Sequence, residues 1–322
     1  MPPSRRLIVS SLLAGLAAPG AQAGTGAGAA DVVETAWSLG GLEGTLLTPR
    51  AARRALGVLM IAGSGPTDRD GNGPGLATDL YRRIAEGLAA AGHAVLRYDK
   101  RGVGGSRAAA RREEDLSFPV MEADARLVLR SLAARAEVRG VVPLGHSEGA
   151  MIATRLACSE AVAGLVLMAA PGRPLGVVLM EQLAAAGLPP ELMAQSERIL
   201  AALARGEAAA DVPPALASLF RPSVQPYLAS VIGVDPARDL AAVGVPTLIL
   251  AGGRDLQTGE SDIAALEAAR PDARVVRLAA ANHVLKPAPA DRAGNIAVYA
   301  DRAAPLDPGV MPALEGFLAT LS

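Results

Sequence analysis

The sequence predicts an α/β fold: a mostly parallel, doubly wound sheet with an antiparallel start and a helical insertion. Three observations carry this. Apolar runs of strand length at 56–61, 94–98, 141–144, 161–169, 246–251 and 274–278 alternate with helical spacing, as strands buried on both faces and joined by crossover helices would. Gly40-Gly41 joins two alternating runs, 33–39 and 42–47, as an antiparallel hairpin. From 171 to 243 the buried strands stop, and only helical patterns occur, punctuated by Pro-Pro pairs.

Taken in order, a Gly/Ala-rich tether (24–30) precedes the hairpin. After the strand 56–61, Leu80, Ile84 and Leu88 recur at four-residue spacing within a helix expected over 79–91, closed by Gly92. The strand 94–98 follows, then a helix at 120–136, the strand ending near 145, and a helix with small residues. The interval 171–243 holds helical patterns at 175–186, 191–205 and 214–220. Lying at the strand end that carries the motif below, it is expected to be a cap or lid over a pocket, with a structural insertion or an oligomer contact as the alternative. The strands 246–251 and 274–278 and a helix at 311–321 complete the chain.

The first 23 residues read as an export signal. Arg5 and Arg6 precede a short apolar run, 7–18, and Ala21-Gln22-Ala23 forms an A-x-A cleavage site. The run is too short to span a bilayer. The arginine pair leaves the general and twin-arginine routes open, and periplasmic or secreted location is expected. The chain thus divides into a signal peptide (1–23), a first core part (24–170), a helical cap (171–243) and a second core part (244–322).

Composition narrows the chemistry. The 322 residues carry a net charge of -1, so no basic field for nucleic acid is expected. Aromatic residues make up 2%, which argues against stacking platforms for sugars or bases. Cys158 is the one cysteine. It excludes an intrachain disulfide and a cysteine metal site, and its helical position predicts a buried, inert thiol.

The chain is organised around Gly145-His146-Ser147-Glu148-Gly149. An apolar strand before it and a helix after it make this a nucleophile elbow, with Ser147 at the tip and glycines where a Cβ would clash. Serine needs a base, and the base an orienting carboxylate. Three histidines are available. His93 precedes the strand 94–98, at the N-terminal edge of the sheet and away from the elbow, and His146 is expected to point to the other side of the turn. His283, just past the last strand, lies on the carboxyl side of the sheet with Ser147 and is the expected base. Asp255 follows the strand 246–251 through Gly252-Gly253 and stands in the order Ser, Asp, His. Its rival Asp262 falls inside the next helical pattern, where a solvated face is expected. The oxyanion requires backbone N–H groups: that of Glu148, and one from the glycine-rich loop after strand 56–61, where Ser64 is preferred over its neighbours Gly63 and Gly65.

Three motifs carry a family resemblance: Gly63-Ser64-Gly65-Pro66-x-Asp68-Arg69-Asp70-Gly71; Tyr98-Asp99-Lys100-Arg101-Gly102-x-Gly104-x-Ser106; and the elbow itself. From Leu56 onward the chain resembles the α/β-hydrolase superfamily, and more narrowly a bacterial branch of serine esterases with a GSGPxDRDG loop and a GHSEG elbow. The resemblance implies hydrolysis of a small carboxylic ester through an acyl-enzyme, without cofactor or metal, often on short acyl groups. Two departures stand out. Ala62-Gly63 replaces the His-Gly of many relatives, and Pro143 falls in the central strand, where a missing N–H is unfavourable; a strand starting at Leu144 or a bulge would accommodate it. Asp68, Arg69 and Asp70 are expected to fix the oxyanion loop, with Asp99 and Arg101 as partners, and the Glu148 carboxylate to make a salt bridge. The same triad would also serve a peptidase, a thioesterase or an acyltransferase, and a non-catalytic binding protein on this scaffold is the alternative from another class.

Overall fold

The computed structural model describes residues 32–50 and 55–321; the expected signal peptide lies outside them. The eight main strands form one sheet in the order β1-β2-β6-β3-β7-β8-β9-β10. They are β1 (Val32–Leu39), β2 (Leu42–Pro49), β3 (Ala55–Ile61), β6 (Ala94–Tyr98), β7 (Val138–His146), β8 (Leu165–Met168), β9 (Thr247–Gly252) and β10 (Arg274–Leu278), while β4 (Asn72–Gly73) and β5 (Leu76–Ala77) make a separate small hairpin. From β6 to β10 every pairing is parallel; β1–β2 and β2–β6 are antiparallel. The β1–β2 turn works because Gly40 and Gly41 both take positive φ, 62° and 82°, the mirror-image turn that matches strand twist.

The apolar runs alternate across the sheet. Along β3, Val58 and Met60 pack on one face with Leu80, Ile84 and Leu88 of α1 (Leu80–Ala90) and Leu314 and Phe317 of α11 (Val310–Leu318). Leu59 and Ile61 pack on the other with α2 (Phe118–Ala133) and α3 (Glu148–Ser159). Each face of a pleated strand thus meets its own helical layer.

Boundaries shift for local reasons. The helix α2 begins two residues earlier than expected because Ser117 accepts the Val120 amide as N-cap and Pro119 sits in the first turn. The strand expected over 161–169 shrinks to β8, since its partner β9 begins only after Pro246, whose carbonyl accepts the Leu165 amide. Cys158 is exposed, not buried: on α3 it falls on the face opposite Leu156 and Ala153.

The Pro143 conflict resolves in neither expected way. β7 runs unbroken from Val138, and the register with β3 shifts between Ala55 and Leu56, well before Pro143. The Ala163 amide donates to Val141 O, and the Ser147 amide to Met168 O, so odd residues of β7 turn their backbone groups toward β8. Pairing with β8 begins at Leu144. The missing N–H of Pro143 therefore falls at the start of that ladder.

Between β8 and β9 the chain forms α4 (Leu175–Ala185), α5 (Pro190–Ala204), α6 (Ala217–Phe220), α7 (Gln225–Val231) and α8 (Pro236–Ala241). The last two were hidden by their short length. Leu183, Leu200, Leu203, Phe220 and Leu228 give this segment a hydrophobic cluster of its own. The remaining helices are α9 (Glu260–Ala269) and α10 (Arg292–Ala297).

Candidate active site

Each predicted residue leaves the sheet at a strand's carboxyl end: Ser64 after β3, Ser147 after β7, Asp255 after β9 and His283 after β10. Ser147 takes φ 54° and ψ -124°, a conformation disfavoured for any side chain and costing about 1–3 kcal/mol. The flanking glycines permit it by close approach. A Cβ on Gly145 would strike the Gly149 carbonyl, and one on Gly149 would strike the Ile61 and Ala62 carbonyls. Backbone cannot yield as a side chain tip would, so Gly149→Ala is expected to destabilise the fold by about 3 kcal/mol, read as a lowered urea midpoint.

His283 Nδ1 lies 2.8 Å from Asp255 Oδ2. The carboxylate only accepts, so Nδ1 carries the proton and Nε2 is left as the basic nitrogen. Asp255 also accepts from the amides of Gln257 (2.7 Å) and Thr258 (3.0 Å) and from Thr258 Oγ1 (2.8 Å). Burial alone would raise its pKa, but His283 and these donors outweigh that and hold it below the usual carboxylate range. Ser147, His283 and Ser64 line one small pocket together with His146, Tyr81 and Tyr299.

Two expectations are corrected nearby. Asp262 is not solvated but fully buried, where it accepts from the Gly172 and Gly259 amides and pairs with Arg173 at 2.9 Å. It anchors the start of the 171–243 segment. His146 does not point away from the site. Its ring centre is 4.9 Å from that of His283, and Nε2 is 2.8 Å from the His283 carbonyl.

That contact fixes the His146 tautomer. A carbonyl only accepts, so Nε2 donates, and Nδ1 accepts from Tyr81 Oη at 2.9 Å. Tyr81 Oη in turn accepts the Gly63 amide at 3.1 Å. The loop after β3 and the loop after β10 are thus joined through two buried side chains. Elimination among the histidines could not find this link, because Tyr81 sits on α1 and carries no motif.

Burial, then the nearby His283, push the His146 pKa down to about 3. An unfolded histidine binds a proton near 6.5, so between these values only the unfolded state is protonated. This contribution to stability is full above about pH 6.5 and falls by about 1.4 kcal/mol per unit as pH drops toward 3. Between pH 7 and 5 the wild type is expected to lose about 2 kcal/mol more than His146→Gln, as read from urea midpoints at the two pH values.

The loop after β3 is held from behind. The buried Lys100 ammonium donates to the carbonyls of Gly63 and of Gly65 (2.9 Å for the latter). In a trans peptide the N–H points opposite the C=O. Drawing the Gly63 carbonyl to Lys100 therefore turns the Ser64 amide the other way, while the Gly63 amide is occupied by Tyr81. The Glu148 amide is the first of α3 and has no partner within the helix.

The motif charges do serve the loop. Arg69 binds Asp99 through Nε (3.0 Å), Nη2 (2.7 Å) and its own amide (2.7 Å), and Asp70 pairs with Arg97. Asp68 accepts the amides of Asp70 and Asn72. Arg101 departs from expectation and pairs with Asp124 at 2.6 Å. Among the described residues Glu148 makes no salt bridge; it accepts from Tyr227 Oη at 2.5 Å, a bond from α7 to the residue after Ser147.

The chain and its fold resemble known proteins. Esterase EstD of Thermotoga maritima is 33% identical over 232 residues, 70% of this chain; the alignment spans about half (52%) of that relative's length. Est1E of Butyrivibrio proteoclasticus, solved with ferulic acid bound, superposes with a TM-score of 0.59 at 14% identity, over 89% of this chain and 98% of that one. The Pyrococcus furiosus esterase Pf2001 gives 0.54 at 15% identity, over 90% and 91%. These likenesses between structures speak for the fold. The profile described as the Alpha/beta hydrolase family matches residues 71–297, which takes in the elbow, the loop after β9 and the loop after β10, and the chain belongs to that family.

Proposed function

We propose that the protein is an exported serine hydrolase that cleaves carboxylic esters of short to medium acyl chain through an acyl-enzyme. The observation that carries this is the Asp255–His283 hydrogen bond at 2.8 Å, with His283 and Ser147 lining one pocket. The esterase name of the Thermotoga relative supports the ester as substrate. Ser147 Oγ attacks the acyl carbon while His283 Nε2 takes its proton. The negative oxygen is met by the amides of Ser64 and Glu148. His283 returns the proton to the departing alcohol, and Asp255 stabilises the imidazolium meanwhile. Water then repeats the cycle on the acyl-enzyme. Residues 171–243 form a cap over this site, pinned to the core by Tyr227 on Glu148, Arg173 on Asp262, and Ser230 Oγ, which accepts the Phe118 amide at 2.8 Å.

A fluorophosphonate probe is expected to label Ser147 covalently in wild type and not in Ser147→Ala. Hydrolysis of p-nitrophenyl acetate and butyrate should be lost with that labelling. Folded protein that takes no probe would favour a binding role, and a preference for peptides or thioesters over esters in matched panels would overturn the substrate class. Export rests on residues 1–23. Mature protein recovered from a periplasmic fraction should begin near Gly24, and full-length protein retained in the cytoplasm would sink that part.

A further inference from the structure

The pocket at Ser147 measures about 40 Å³, room for a few waters, whereas a second cavity nearby measures about 470 Å³. The latter is the usual size of a small-molecule site. The two share a wall, the oxyanion loop: Gly63, Ser64 and Thr67 face the small space, Gly65 and Pro66 the large one. Tyr227 also lines the large cavity and reaches Glu148, beside the nucleophile. The first space is small beside a long ester arm, and the second cavity adjoins it across this loop.

Its charge is distinctive. Lys100, Arg101, Arg107, Arg111, Arg112 and Arg221 line it, against a single carboxylate, Glu113. The whole chain has net charge -1, so this excess is local. Three of the cations are already matched: Arg221 with Glu113, Arg101 with Asp124, and Arg112 with Glu114. Lys100 gives two of its three protons to the loop carbonyls. Arg107 and Arg111 are exposed at the opening, and among the described residues neither pairs with a carboxylate. Leu116, Met121 and Val224 make the wall apolar.

We propose that this cavity receives the remote arm of the ester, and that the arm is an apolar chain ending in a carboxylate held by Arg107 and Arg111. The inference rests on Ser147 being the nucleophile. The apolar wall takes the methylenes, and the planar guanidinium forks match a carboxylate. Because these arginines face solvent, the preference is salt-sensitive.

The test compares two p-nitrophenyl esters of equal length, the hexanoate and the monoadipate. The ratio of kcat/KM for adipate over hexanoate is expected to exceed one in wild type and to fall about tenfold in Arg107→Gln/Arg111→Gln. It should also fall as sodium chloride rises from about 50 to about 500 mM. Calorimetry of adipate on Ser147→Ala, which does not turn over, should show binding that the added arginine substitutions remove. A wild type that hydrolyses the hexanoate without preferring the adipate overturns this inference and leaves Ser147 standing; so does adipate binding that the arginine substitutions leave intact. A wild type that hydrolyses neither ester sinks both.

Discussion

Ser147→Ala is expected to lower kcat/KM for p-nitrophenyl butyrate by about four to six orders of magnitude with the fold intact. Alanine keeps the Cβ and loses only the hydroxyl, so the elbow at φ 54° is strained as before. No other hydroxyl of the pocket stands on the elbow: Ser64 and Thr67 belong to the loop after β3, and Tyr81 Oη is bonded to His146. On the proposed mechanism, the residual rate measures what the oxyanion amides and substrate binding contribute together. Ser147→Gly adds a second readout. Glycine tolerates this backbone without a steric penalty, so it should be as inactive as the alanine variant and more stable than it by about 1 kcal/mol. Circular dichroism melts beside the kinetics decide both. A loss of activity that tracks a loss of folded protein would refute a chemical role.

Asp255→Asn should lower kcat by about four orders of magnitude, with KM little changed. The amide can still accept or donate, but it no longer carries the charge that favours the imidazolium, and it permits the wrong histidine tautomer. The comparison with Asp262→Asn makes this specific. Asp262 is also a buried aspartate close in sequence, yet its partners are Arg173 and the amides of Gly172 and Gly259. Asparagine would turn its NH2 group toward donors at a fully buried position and cost about 2 kcal/mol of stability, although Arg173 keeps Glu181 as a partner at 2.6 Å, while the surviving folded fraction should still take the fluorophosphonate probe. Equal kinetic effects of the two substitutions would mean that Asp255 acts only by holding its loop.

Much of this fold could be read from residue order. Strands buried on both faces announce themselves as continuous apolar runs, and β3, β6 and β9 fall where those runs lie. The hairpin is legible because two adjacent glycines have one common use. What escaped depends on partners distant in sequence. His146 looks like a bystander until Tyr81, 65 residues away, and the His283 carbonyl, 137 away, are brought to its two nitrogens. Asp262 has helical spacing and so looks solvated; only the return of residues 172 and 173 over α9 buries it. The extent of β8 is governed by where β9 starts, which its own residues do not encode. Residues 171–243 gave away their helical character but not their attachment, since Tyr227, Arg173 and Ser230 carry no local signature of the residues they meet.

The bond from His146 to the His283 carbonyl has a mechanical consequence. The loop bearing His283 is moored by its main chain, so its course does not depend on the identity of the side chain it presents. The imidazole rides on a fixed mount, and position 283 can be emptied without the mount collapsing. His283→Gly should therefore keep its loop in place and leave a ring-shaped vacancy beside Asp255, in the pocket that Ser147 also lines, and free imidazole is expected to restore part of the activity there.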